Sequence, residues 1–307
     1  MGYNKQCSEV LAKLKQLGKM GRIEYMGEIV ENNLIESSIS PLSINLENRR
    51  IGVIGAPSDW LVASSHSADI VKKNCNAKLV EISIDELLGL YLNTKTDENV
   101  KKDLISNSAE IIEPNDKDID NNVKVYLALK YLIEKYSLDA LTLRCFDLVK
   151  AIKTTGCFAL SKLNDEGIIA GCEGDIPTVL GMMWSYKRTG KIPWMANPSR
   201  INLEENSIWL AHCTVPRNIV NSYRLRSHFE SSLGVGIQGY FEVGKKVNLI
   251  RVGGKNLNEV WKVSGKIIAS GSSENLCRTQ IKVKIDTGDV GELLLNPLGN
   301  HLIIEFA

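Results

Sequence analysis

Four side chains in this 307-residue chain are candidates to hold a divalent metal ion together. They are one carboxylate, Glu173, one carboxamide, Asn197, and two imidazoles, His212 and His301. Carboxylate, imidazole and amide oxygen together suit Mn²⁺ or another divalent transition metal. Each lies in a turn or at the end of an apolar run, where an element holds the backbone and the side chain stays reachable. No helical spacing ties the four together. Taken alone, His212 and His301 also fit strand-end residues that are simply hydrogen-bonded.

The element behind Glu173 is Gly171-Cys172-Glu173-Gly174-Asp175. An apolar run, Ile168-Ile169-Ala170, precedes it, and a helical segment over 178–188 follows. The acidic turn therefore sits where a strand ends and a helix begins. Ligands bind at that edge of an open α/β sheet. Further strands are expected at 50–55, 78–82, 139–144 and 168–171, alternating with helices up to about residue 190. Parallel strands put their C-terminal ends on one edge, so Ser58, Asp59, Asp147 and Glu173 should share it. The 56–60 loop is not a G-x-G-x-x-G turn, which excludes a dinucleotide site. Ser58 and Asp59 are candidates for binding a polar substrate, and His66 reads as a solvent-facing helix-cap residue.

From residue 191 onward the texture changes to short β-branched runs separated by Gly, Ser and Asn. The fold class is therefore α/β: a parallel doubly wound sheet domain over 49–190, then a smaller, mainly antiparallel β domain over 191–307, a barrel or a sandwich. Lys191 to Pro198 reads as a short strand running into a turn. Residues 207–213 read as a strand ending in His212. His301 falls in a Gly/Asn turn before a terminal strand. Residues 1–48 form a helical arm and connector. In it Val10, Leu11, Leu14 and Leu17 make an apolar stripe, with Ser8 as N-cap. The arm should carry no chemistry and should pack on another domain or subunit.

Bulk properties narrow the class. The net charge is +1, so no field attracts nucleic acid or an anionic membrane. Seven cysteines at irregular spacing, with no CxxC, read as free thiols in a reducing cytoplasm. No apolar stretch approaches the roughly 20 residues of a membrane span. The polar, Lys-rich start is unlike a signal peptide.

From about Leu141 to its end the chain resembles the metal-dependent L-fucose and L-arabinose isomerases. Gly171-Cys172-Glu173-Gly174-Asp175 resembles the turn carrying their first metal carboxylate, which implies Glu173. Met195-Ala196-Asn197-Pro198-Ser199-Arg200 resembles the strand end carrying the second, where this chain has Asn197. Trp209-Leu210-Ala211-His212 and Leu298-Gly299-Asn300-His301 resemble the segments that supply the two histidines. Arg144-Cys145-Phe146-Asp147 resembles an acidic strand end. The resemblance implies a Mn²⁺-dependent aldose–ketose isomerase acting on a small sugar, assembled as a homo-oligomer. Glu173 would be ligand and base together. Trp194 is a candidate for stacking the sugar, with core packing as the alternative.

The sequence departs from that pattern twice. The resembled enzymes carry a whole additional N-terminal domain, which 48 residues cannot replace. Asn197 can ligate a metal but cannot take a proton. Asp147 is the better candidate to replace the lost carboxylate, because Asp175 suits the N-cap of the following helix. The alternative reading is a catalytically silent relative that still binds a sugar or metabolite.

Overall fold

The computed structural model describes residues 5–25 and 36–307. Helix α1 (Lys5–Gln16) comes first, then an edge strand, β1 (Ile39–Pro41). Four parallel strands follow: β2 (Arg50–Ile54), β3 (Lys78–Ile82), β5 (Ala140–Leu143) and β6 (Ile169–Cys172), in the spatial order β3-β2-β5-β6. The helices between them are α2 (Ala68–Cys75), α3 (Ile84–Asn93), α4 (Glu98–Ser106), α5 (Asp116–Tyr136), α6 (Cys145–Ile152) and α7 (Cys157–Asp165). Local chemistry sets their starts. Ser67 and Ser83 accept from the backbone N–H three residues on, and Asn115 with Asp118 forms a reciprocal capping box.

Helix α8 (Ile176–Thr189) leads into a closed antiparallel barrel. Its six strands are β7 (Trp194–Asn202), β8 (Ser207–His212), β11 (Lys246–Gly253), β12 (Glu259–Gly271), β13 (Thr279–Thr287) and β14 (Leu302–Phe306). Their order is β12-β11-β14-β7-β8-β13, and β13 pairs back onto β12 to close the ring. Irregularities in register at Ser264/Gly265 and Ile267/Ala269 lie at that closure. A separate small sheet joins β9 (Ser222–Arg226) and β10 (Gly236–Tyr240) to β4 (Glu110–Ile111). It ties a segment between α4 and α5 to the C-terminal half of the chain.

Helix α8 is the joint between the parallel sheet and the barrel. A methyl group at Gly181 would lie 2.4 Å from Ile303 Cδ1 and 3.0 Å from Val252 Cγ2. Only a glycine lets the helix come this close to β11 and β14. One continuous apolar core results, running from Leu141 and Ile169 through Val179 and Leu180 to Val252 and Ile303.

Several expectations need correction. Strand β7 does not turn at Pro198. It runs on to Asn202 through a shift in register between Pro198 and Arg200, and an irregularity of this kind is where a proline fits inside a sheet. Ser8 lies inside α1 rather than capping it. Its buried face is Ser8, Glu9, Leu11 and Ala12, while Val10 and Leu17 point to solvent. Helix α1 is tied to both later parts of the chain, as Lys15 Nζ donates to Asn296 Oδ1 and Gln16 Nε2 to the Ala63 carbonyl. Among the described residues, no helix is long and apolar enough to cross a membrane.

Candidate metal centre

Glu173 directly follows β6 with φ +63, in the left-handed region that disfavours a side-chain-bearing residue. Such strain costs on the order of 1–3 kcal/mol and persists only where its surroundings enforce it. The enforcement is local. Ser58 N–H donates to the Glu173 carbonyl at 2.9 Å, and a methyl group at the next residue, Gly174, would lie 2.5 Å from Pro57 Cα. The loop after β2 therefore lies directly on the acidic turn and fixes its path. The Glu173 side chain is nearly buried, and its Oε2 accepts from Trp60 Nε1 at 3.1 Å.

Asp175 does two jobs. Its Oδ1 caps α8 by accepting from Thr178 N–H at 2.9 Å, as its position suggests. Its Oδ2 lies 2.8 Å from His301 Nδ1 and accepts from Arg251 Nη1 at 2.9 Å. Burial alone would raise this carboxyl. The Arg251 charge and the His301 hydrogen bond overcome that and hold it well below the usual carboxylate range. Asp175 is therefore an anion and an acceptor that takes an N–H from Nδ1, so a neutral His301 presents its lone pair at Nε2.

That lone pair is the centre of the site. His301 is completely buried, and its Nε2 has no hydrogen-bond partner. It faces Glu173 Oε2 at 3.6 Å. His212, the last residue of β8, stands beside it with ring centroids 5.5 Å apart, its Nδ1 2.8 Å from Thr214 Oγ1. Ligand atoms of Glu173, His212 and His301 all lie within 4.8 Å of one another. Two ligands each about 2.0–2.2 Å from one ion stand at most about 4.4 Å apart, so small adjustments close the set. A buried imidazole lone pair, oriented from behind by a carboxylate and facing a second carboxylate, is the arrangement a divalent ion takes.

Asn197 lies in β7 between the strands that bring in the two histidines. Its neighbour Ala196 pairs with Leu302 of β14, and Asn197 itself pairs with Ala211 of β8. Its Oδ1 accepts from Asn300 Nδ2 at 2.7 Å. The remaining expected residues sit elsewhere. Asp147 is in the first turn of α6, not at a strand end, and pairs with Arg144 Nε at 3.2 Å. The same arginine holds Asp59, which is largely exposed. Ser58 is buried with an unpartnered Oγ. Trp194 is enclosed in the core and stacked on Phe241 at 5.6 Å. His66 does not cap α2, because Ser67 does. His66 Nε2 instead lies 3.0 Å from the Gly254 carbonyl. All seven cysteines are free, and Cys172 Sγ lies 2.9 Å from Cys145 Sγ.

Five residues around the centre had no sequence signal pointing to it. Trp60 covers Glu173 and meets Phe146 edge-to-face at 5.5 Å, and Phe146 meets His228 at 5.8 Å, giving an aromatic rim. Beneath the histidine lie Arg251 and Glu9, both buried. Glu9 comes from α1, more than 290 residues before His301 in sequence. Burial raises its carboxyl.

No family model matches the chain. Stretches of it are similar to curated sulfoquinovose isomerases. One from Clostridium sp. (strain MSTE9) is 32% identical over 98 residues, 32% of this chain and 22% of that protein. One from Alkalicoccus urumqiensis is 30% identical over 88 residues, 28% of this chain and 20% of that protein. One from Priestia megaterium is 23% identical over 176 residues, 55% of this chain and 38% of that protein. The matched stretches thus cover well under half of each relative. The similarity is to sugar isomerases, and it does not single out the fucose and arabinose enzymes.

Proposed function

We propose that the chain is a divalent-metal-dependent sugar isomerase of the fucose and arabinose isomerase type, with Glu173, His212 and His301 as metal ligands. The observation that carries this reading is the unpartnered, fully buried Nε2 of His301, facing Glu173 and oriented by Asp175. The similarity to sulfoquinovose isomerases adds a sugar as the substrate class.

Aldose–ketose isomerisation through an enediol takes a proton from C2 of the aldose and returns it to C1, while the hydroxyl proton passes from O2 to O1. A bound divalent ion would polarise the carbonyl and its neighbouring hydroxyl. Glu173 is the group that takes and returns the carbon-bound proton, a contribution of roughly 10²–10⁴-fold in rate. Asp175 keeps the His301 lone pair aimed into the site. Trp60 and Phe146 form the wall a sugar meets on its way to Glu173, and the Trp60 N–H holds the carboxylate in place. Manganese is the first choice of ion on the resemblance to the fucose and arabinose isomerases, and the oxygen and imidazole donor set would also accept Co²⁺, Ni²⁺ or Zn²⁺.

The test is solvent exchange. Enzyme with Mn²⁺ is incubated in D₂O with aldoses, ketoses and sulfoquinovose, and deuterium at C2 and C1 is followed by NMR. Exchange with at least one sugar, abolished by Glu173→Gln, is the expected result. A second reading, a silent sugar-binding relative, draws on Asn197, whose amide takes no proton and is bonded to Asn300. Sugar binding without any exchange would favour it.

A further inference from the structure

We propose that Glu9 is a positioning residue of the metal centre, holding from the N-terminal helix the turn that carries His301. This rests on the reading of Glu173, His212 and His301 as metal ligands. The turn is Leu298-Gly299-Asn300-His301, and it enters β14 with little regular hydrogen bonding of its own. Glu9 Oε1 accepts from the Asn300 N–H at 2.8 Å and from the Ser64 hydroxyl at 2.7 Å, and Oε2 accepts from the Ala63 N–H at 2.9 Å. One carboxylate thus joins α1, the loop after β2 and the histidine turn.

Arg251 completes the frame. Its Nη2 lies 3.8 Å from Glu9 Oε1, its Nη1 donates to the His301 carbonyl at 3.2 Å, and its Nη1 also meets Asp175. The guanidinium lies against Gly299 so closely that a methyl group there would come within 2.2 Å of it, at a backbone angle, φ +146, that favours glycine. The backbone of the His301 turn is therefore gripped on both sides, at Asn300 N by Glu9 and at His301 O by Arg251, while Asp175 grips the ring.

Charge points the same way. Glu9, Asp175 and Glu173 carry three negative charges when ionised, against one positive charge on Arg251. A divalent cation brings that group to neutrality. With Asn197 in place of a carboxylate, Glu9 supplies the second uncompensated negative charge, from behind the ligands rather than among them. Removing partners of this kind, which orient ligands without touching the ion, commonly weakens metal binding 10–100-fold.

The experiment is Mn²⁺ calorimetry on the full chain with three variants and a urea unfolding curve for each. Glu9→Gln keeps the shape and removes the charge. Lys15→Met removes a different tie between α1 and this region, the bond to Asn296. Where Glu9→Gln does not fold, Glu9→Met, an apolar residue of similar volume, takes its place. The expected result is about 10–100-fold weaker binding in the Glu9 variant and an affinity within twofold of wild type in Lys15→Met. Two results overturn the proposal: an unchanged affinity in the Glu9 variant, or equal losses in both variants that follow their unfolding midpoints. A wild type that binds no Mn²⁺ overturns the metal reading itself, and is told apart by being seen before any variant is compared.

Discussion

His301 Nδ1 lies 2.8 Å from Asp175 Oδ2, and this contact decides which nitrogen of the only fully buried histidine faces Glu173. An anionic partner at Nδ1 leaves Nε2 without a hydrogen-bond partner, turned toward Glu173 Oε2 at 3.6 Å. Both the metal reading and the account of proton transfer follow from that orientation.

Asp175→Asn should therefore damage affinity and stability together. The amide loses the charge that fixes the tautomer and leaves Arg251 buried with one counter-charge fewer. Breaking a buried pair this way costs about 3–5 kcal/mol, and Mn²⁺ affinity should fall about 10–100-fold. Urea unfolding and calorimetry read the two effects separately.

The same residue and Glu9 set opposite pH dependences. The Asp175 carboxyl is depressed in the fold, so its contribution is fully present above the unfolded value near about pH 4 and is lost as pH falls toward the folded one. The Glu9 carboxyl is raised, so its contribution is present at low pH and is lost as pH rises through its folded value. Asp175→Asn should flatten the acid limb of stability against pH below about 4, while Glu9→Gln should flatten the fall above it. Unfolding midpoints measured across pH 2–8 would show both.

Asn197→Asp should strengthen Mn²⁺ binding by about tenfold, or 1.4 kcal/mol. Asn300 Nδ2 can donate to either side chain, so the hydrogen bond survives. The unliganded protein should become less stable, because the new charge joins Glu173 in a buried site. Calorimetry and urea melts of the apo-protein test the two signs, and a variant that gains neither affinity nor exchange rate contradicts the expectation that position 197 serves as a ligand.

Trp60 offers an optical readout. Its indole N–H rests on Glu173, so a paramagnetic ion at the site should quench its emission. Addition of Mn²⁺ should remove one component of the five-tryptophan fluorescence, and that component should be missing in Trp60→Phe. Quenching that persists in Trp60→Phe would place the ion elsewhere.

Gly181→Ala probes the joint between the two halves. The added methyl group would meet Ile303 and Val252, so the variant should lose about 1–3 kcal/mol through overpacking, seen as a lower urea midpoint.

Several strands were legible in the sequence. The strands at 78–82 and 207–212 carry clear apolar runs, and their expected limits lie within a residue of those observed. Glu173, His212 and His301 were singled out by residue type at strand ends and turns and by the resemblance to the isomerases, and the structure brings the three together. Asn197 was placed, but its bond to Asn300 depends on two strands meeting and has no local trace. Asp147 was misplaced because Cys145-Phe146-Asp147 continues as readily into a helix as out of a strand. Glu9 and Arg251 left no signal at all. A glutamate within an amphipathic helix reads as its wet face, and only tertiary packing turns it inward. Pro198 misled for a related reason: a proline announces a turn unless a local irregularity in the pairing accommodates it.

The most direct measurement is Mn²⁺ calorimetry on metal-free wild type beside His301→Ala and Glu173→Gln. The account predicts one site per chain in the wild type, with binding abolished by His301→Ala and sharply weakened by Glu173→Gln. Wild-type protein that takes up no Mn²⁺, Co²⁺ or Zn²⁺, or that binds equally well in both variants, would contradict it.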